Sequence, residues 1–199
     1  MMPVSIDRLI DSLANPAGNS SDFDLNPGIA RPVTASLRPA AVLIALWVRP
    51  QGVQVILTKR ASHLKHHPGQ IAFPGGKVDA TDADGCGAAL REAQEEIGLP
   101  QAMVQVLGTL PPHETVTGFS ILPVLGLIRA DFIPAAQPEE VDEIFAVPLA
   151  HVLRVANYGI EGRMWMGQMR RYYVAAYGPY YIWGATARIL RGLAERVAL

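Results

Sequence analysis

An α/β fold of the α+β kind, one sheet covered on both faces by helices, is what this 199-residue sequence predicts. Three observations carry that prediction. Short apolar runs recur through the chain, separated by Gly, Pro and Asn, as strands and turns do. Two segments, 87–97 and 182–193, instead repeat their apolar residues every three or four positions, as helices do. Half of the residues are hydrophobic and 18% are charged, which supports a packed core of one domain's size. Strands mixed with a few helices bury their apolar faces best when helices cover both sides of a sheet. No internal repeat is visible.

Each element follows in order. Val4, Ile6, Leu9, Ile10 and Leu13 have helical spacing over residues 4–14. Asn15 to Pro39 is rich in Asn, Gly, Ser, Asp and Pro, and reads as a loop or arm. The division expected is therefore 1–39, a helix and arm, and 40–199, the main domain. "AAVLIALWV", "PQG" and "VQVILTKR" are strand, turn and strand. Gln70 to Phe73 is a short strand closed by Pro74, Gly75 and Gly76. Leu90, Ala93 and Ile97 form one buried helix stripe, with Gly98 as a C-terminal stop and Pro100 preventing continuation. "MVQVLGTL", "TGFSILPVLGLI", "EIFAVPL" and "RRYYVAAY" are further strands. Ile182, Ala185, Ile189, Leu190 and Leu193 make the last segment an amphipathic helix.

Bulk properties exclude several classes. The net charge is −1 and the pI is near 6.5, so the chain has no global attraction to nucleic acid or anionic membrane. Cys86 is the one cysteine, which excludes a disulfide framework and fits a reducing compartment. It has no obvious base beside it and reads as a bystander. Asp7 and Asp11 interrupt the apolar run that a signal peptide needs. The longest uninterrupted apolar stretch, Ala40 to Val48, falls short of a membrane span. A cytoplasmic protein is the expectation.

The unusual stretch is "FPGGKVDATDADGCGAALREAQEEIGLP", Phe73 to Pro100. Glu92, Glu95 and Glu96 stand at i, i+3 and i+4, on one helix face within an arc of about 100°. Like charges at this spacing cost roughly 0.2–0.5 kcal/mol per pair. Their seat near the helix C-terminus opposes the macrodipole by about 0.3–1 kcal/mol each. A hard divalent cation, Mg²⁺ or Mn²⁺, reverses the sign of both terms. The plain alternative is a solvated acidic face. Gly75 and Gly76, whose backbone can approach a ligand closely, and Arg91, which can orient a glutamate, favour the cation.

The stretch resembles the Nudix box, G-x5-E-x7-R-E-U-x-E-E-x-G-U with U apolar. Gly76, Arg91, Glu92, Ala93, Glu95, Glu96, Gly98 and Leu99 match. Asp82 stands where the first glutamate falls, and eight residues rather than seven separate it from Arg91. The extra residue falls in a loop-like region and can be absorbed before the helix. The segment before it, "LTKRASHLKHHPGQIAFPGG", resembles the signature of the coenzyme A diphosphatase branch. Leu57, Thr58, Arg60, Leu64, His67, Gly69, Gln70, Phe73, Pro74, Gly75 and Gly76 are in register, and Lys65 replaces an arginine. The likeness extends over about residues 40–195.

The resemblance implies an α/β/α sandwich with a mixed sheet. It also implies metal-dependent hydrolysis of coenzyme A or its thioesters to 3′,5′-ADP and 4′-phosphopantetheine or its acyl form. Glu92, Glu95 and Glu96 would hold Mg²⁺ or Mn²⁺, with the Gly75 carbonyl as a further ligand. Glu95 or Glu92 would act as base, beside Arg91. Glu139, Glu140 and Glu143 could reach in from a later loop. Arg60, Lys65, His67 and Gly76 are the substrate-binding candidates, with Arg60 a grip for the 3′-phosphate. His113 and Glu114 read as loop residues near the pocket, a solvated histidine being the plain reading. Tyr172, Tyr173, Tyr177, Tyr180 and Tyr181 fit core packing better than adenine stacking. The partner expected is a small nucleotide, with no nucleic acid and no membrane; a homodimer is one option. Two alternatives stay open: another substrate (ADP-ribose, a dinucleoside polyphosphate or a nucleoside triphosphate), and a Nudix-like module that binds without hydrolysing.

Overall fold

The computed structural model describes residues 6–14, 20–29, 37–165 and 167–198. Its elements, in chain order, are α1 (Ile6–Leu13), β1 (Ser20–Ser21), β2 (Arg38–Arg49), β3 (Gly52–Arg60), β4 (Ile71–Ala72), β5 (Gly75–Lys77) and α2 (Gly85–Ile97). Then follow β6 (Val104–Thr109), β7 (His113–Glu114), β8 (Phe119–Ile128), β9 (Val141–Pro148), α3 (Leu149–Val152), β10 (Tyr158–Trp165), β11 (Gln168–Tyr177), β12 (Tyr180–Trp183) and α4 (Gly184–Ala198).

The main sheet is mixed. Its path runs β1-β7-β8-β2-β3-β4, with β5 on β2, β6 on β8 and β9 on β3. β2 and β8 lie parallel, from Arg38 opposite Phe119 to Trp47 opposite Ile128. The other long pairs, β2–β3, β3–β9 and β6–β8, are antiparallel. A second, antiparallel sheet is β10-β11-β12.

Alternation along β2 explains the layers. Ile44 and Leu46 join the core that takes in Leu9 of α1 and Ile189, Leu190 and Leu193 of α4. Leu43 and Ala45 face the other way and join Ala88, Ala89, Ala93 and Ile97 of α2. A strand buried on both faces reads as one apolar run, which is the character of "AAVLIALWV".

The structure changes several sequence readings. Val4 lies outside the described residues. Within the segment taken as loop, Ser20 and Ser21 pair with His113 and Glu114. The glycine closure after Phe73 continues as strand β5. β7, β10, β12 and α3 were not foreseen. Ile182 belongs to β12 rather than to the last helix, which begins at Gly184. Short strands such as "YYIW" carry too few residues to show a period.

Candidate active site

Helix α2 supplies the acidic face, and its two ends explain how the face is held. At the start, the Asp84 carboxylate accepts the Gly87 N–H at 2.8 Å. At the end, Gly98 takes the left-handed conformation, φ 68°, and its N–H returns to the carbonyls of Ala93 and Gln94. The carbonyls of Glu96 and Ile97 accept the N–H groups of Gln137 and Ala135, each at 3.0 Å. A helix end must satisfy its last carbonyls. Here a later loop does so, and the same loop carries Glu140 back to α2.

The carboxylates of Glu92, Glu96 and Glu140 consequently converge, with one oxygen from each lying within 4.8 Å of the others. Glu96 is buried, 3% exposed, and accepts the Gly75 N–H at 3.1 Å. Burial, with Glu140 and Glu92 nearby, pushes its carboxyl up to about 8. Glu92 is also raised, by burial first, which the adjoining Arg91 opposes without cancelling. An acid whose charge is disfavoured by burial first and by two neighbouring acids after it is a seat that a divalent cation fits, and oxygen ligands are what hard cations take.

Arg91 is the hub of the remaining acids. Its Nε and Nη2 donate to the two Asp82 oxygens at 2.9 and 3.0 Å. Its Nη1 donates to Glu92 at 3.1 Å and to Glu95 at 2.9 Å. The shorter acid at position 82 still makes a two-pronged contact, because the turn before α2 brings it to the guanidinium. Arg91 thus orients glutamates; it is a positioning residue in this geometry. Glu95 stands outside the convergent trio, paired with Arg91 and 58% exposed at its side chain.

Beneath this cluster Gly75 is required for reasons of space, and Gly76 leaves room for a carboxylate. A Cβ on Gly75 would lie 2.5 Å from the Ala41 carbonyl oxygen of the paired strand. A Cβ on Gly76 would push the Glu92 carboxylate out of its present place. The glutamate lies flat against the strand because nothing stands there.

A cavity of about 420 Å³ opens beside the two glycines. Arg60, Lys77, Arg163, Arg170, Arg171 and Arg188 line it, against Asp22 as the one lining carboxylate among the described residues. Arg60 lies at the acidic end. It follows a register shift in the β3–β9 pairing, between Lys59 and Arg60, and its charge is felt by Glu96. His67 lines the cavity with φ 55°. Partial loss of water and then the Arg60 cation push its imidazole down, so at neutral pH it is a neutral hydrogen-bonding group. Lys65 is exposed and stands outside the cavity lining. Gly76 is part of the lining.

Other expectations are corrected. His113 is fully buried in β7, between Ser20 Oγ at 2.9 Å and Asp22 Oδ1 at 3.2 Å, not solvated in a loop. Tyr173, Tyr177 and Tyr180 do pack on the core, but Tyr172 and Tyr173 also line the cavity and Tyr181 is 43% exposed. Sequence reasoning missed Asp22, Arg163 and Trp183; nothing short-range marks residues that distant strands bring together. The Cys86 thiol is raised by burial and Asp84, consistent with an unreactive group.

The sequence profile of the NUDIX domain matches residues 37–164. The chain belongs to the Nudix family. This Nudix hydrolase is 45% identical over 175 residues to the "uncharacterized Nudix hydrolase NudL" of Enterobacter sp. (strain 638), covering 88% of this chain and 90% of that one. It has the same identity over 166 residues to NudL of Salmonella newport (strain SL254), covering 83% and 86%. Among solved structures, the MutT protein from Methanosarcina mazei Go1 has a TM-score of 0.52 at 18% identity, covering 83% of this chain and 96% of that one. A Nudix hydrolase from M. smegmatis, RenU, has 0.50 at 24%, covering 60% and 75%. Those two share the fold. No helix among the described residues is long and apolar enough to cross a membrane.

Proposed function

We propose that this Nudix hydrolase cleaves the diphosphate of coenzyme A or an acyl-coenzyme A, giving 3′,5′-ADP and 4′-phosphopantetheine or its acyl form. The observation that carries the reading is the junction at Arg60, Gly75 and Gly76. There the convergent trio meets a cationic cavity, at the end of the segment that resembles the coenzyme A signature. A diphosphate is a small, dense anion that needs charge on both sides, and the two halves of the site supply it.

Glu92, Glu96 and Glu140 would hold Mg²⁺ or Mn²⁺. A divalent ion there supplies positive charge to the non-bridging oxygens of the diphosphate. Glu92 and Glu95 are the candidates for taking a proton from the attacking water. Glu95, outside the trio, is the one of the two not engaged in holding the ion. Arg91 keeps both oriented. Arg60 contacts the phosphates nearest the reaction, and the neutral His67 donates a hydrogen bond beside it.

The test is product identity. Purified protein, coenzyme A and Mn²⁺ should yield 3′,5′-ADP and 4′-phosphopantetheine by mass spectrometry. Faster cleavage of ADP-ribose, a dinucleoside polyphosphate or a nucleoside triphosphate ends the coenzyme A reading. Binding without any product, with either metal, replaces the hydrolase by a binding module.

A further inference from the structure

Arg163 and Arg170 are direct register partners across β10 and β11. Like charges placed opposite one another on a sheet are destabilising. Alternation puts both on one face, together with Glu161, Tyr172, Tyr181 and Trp183. The Glu161 carboxylate is engaged elsewhere on that face: it accepts the Tyr181 hydroxyl at 2.6 Å. Among the described residues, no carboxylate lies within ion-pair distance of Arg163, whose guanidinium instead sits over the Trp183 ring at 4.9 Å. Arg188, in the same cavity, is already paired with Asp24 and Glu195. Asp22 accepts the Val116 N–H at 3.0 Å and contacts His113, and Arg170 helps to keep it ionised.

The wall that carries these arginines is anchored. Asn26 accepts the Arg171 N–H and donates to the Arg171 carbonyl, both at 2.8 Å. The arm around Asn26 therefore fixes β11 one residue from Arg170. Most of this wall, the arm and β11–β12, lies outside residues 37–164, which match the family.

We infer that Arg163 and Arg170 form a subsite for a phosphate monoester remote from the diphosphate, the 3′-phosphate of an adenosine nucleotide. The inference rests on reading the cavity as the substrate's site. It moves the 3′-phosphate role away from Arg60, which lies at the acidic end, where the diphosphate would sit. Two guanidiniums facing one cavity offer a dianion the paired donors it is gripped by, and Trp183 holds one of them in place.

Calorimetry on the metal-free protein compares adenosine 3′,5′-bisphosphate with adenosine 5′-monophosphate. The wild type should bind the bisphosphate about tenfold more tightly or better, and Arg163→Ala should reduce that margin by about tenfold. Arg163→Lys should restore part of it, and Arg170→Gln provides a second site should one variant fold poorly. No margin in the wild type, or a margin that both variants keep, overturns the subsite. Coenzyme A hydrolysis is scored separately on the wild type. Hydrolysis with an unmoved margin sinks the subsite alone; a margin that moves without hydrolysis sinks the proposed reaction alone.

Discussion

The Glu96 carboxylate accepts the Gly75 amide at 3.1 Å, across the boundary between helix α2 and strand β5. That bond joins the acidic face to the glycine turn, so one side chain ties helix to strand and, in the proposed reaction, would also hold the cation. Glu96→Gln keeps an oxygen for the amide and loses the charge. Turnover should fall by at least about 100-fold, in line with the loss of a metal-site group. The metal-free melting temperature should not fall, because a buried acid is replaced by a neutral amide. Wild-type turnover in this variant would remove Glu96 from the reaction.

Glu96 also sets a pH dependence. Its carboxyl is raised from 4.5 to about 8 by burial, and Glu92 shifts the same way. Between those two values the folded chain holds a proton that the unfolded chain has lost. The stability this confers is full below 4.5 and is lost as pH rises through about 8. In a chelator, the melting temperature should therefore fall as pH rises across that window. Saturating Mn²⁺ should flatten the fall, since the cation replaces the proton. A metal-free melting temperature that climbs over the same window contradicts the burial of Glu96.

The acidic half of this site was legible because its chemistry is local. Glu92, Glu95, Glu96 and Arg91 lie within five positions of one another, and helical spacing alone puts the glutamates on one face. The C-terminal stop at Gly98 was equally local. Glu140 was one of three acids that could reach the site. Choosing it required the hydrogen bonds from the 135–137 backbone to the end of α2, which no spacing records. Buried strands β2, β3 and β8 were plain from their apolar runs. Two-residue strands and the β10–β12 sheet were not, because their pattern is set by neighbours far along the chain. Asp22, His113 and Asn26 show the same limit: each bonds to residues at least 91 positions away.

Glu140 and Glu139 provide an internal comparison. They are adjacent and chemically identical, yet only Glu140 joins Glu92 and Glu96. Glu140→Gln should weaken Mn²⁺ binding by about 10- to 100-fold, measured by calorimetry or paramagnetic relaxation. Glu139→Gln should stay within about twofold of wild type, as an exposed substitution away from the trio does. Equal losses would show that the loop, not the carboxylate, is what matters.

Asp82 tests the departure from the family pattern. Its two oxygens hold Arg91, and Arg91 holds Glu92 and Glu95. Asp82→Ala should lower kcat while leaving KM nearly unchanged, because the glutamates lose orientation and the cavity is untouched. Asp82→Glu restores the residue of the usual motif and should recover most of the rate. A loss confined to KM would place Asp82 in substrate binding.

Arg60 separates the two ends of the cavity. It lies where its charge lowers the cost of ionising Glu96, on the side of the convergent acids. Its Nε is buried and has no hydrogen-bond partner among the described residues, so a ligand oxygen is the natural acceptor for it. If that oxygen belongs to the diphosphate, Arg60→Ala should reduce kcat/KM for coenzyme A and for 3′-dephospho-coenzyme A by the same factor, about 10- to 100-fold. The 3′-phosphate role expected from sequence requires instead that coenzyme A suffer much more. Steady-state rates on both substrates, measured side by side with Arg163→Ala, assign each arginine to its own phosphate.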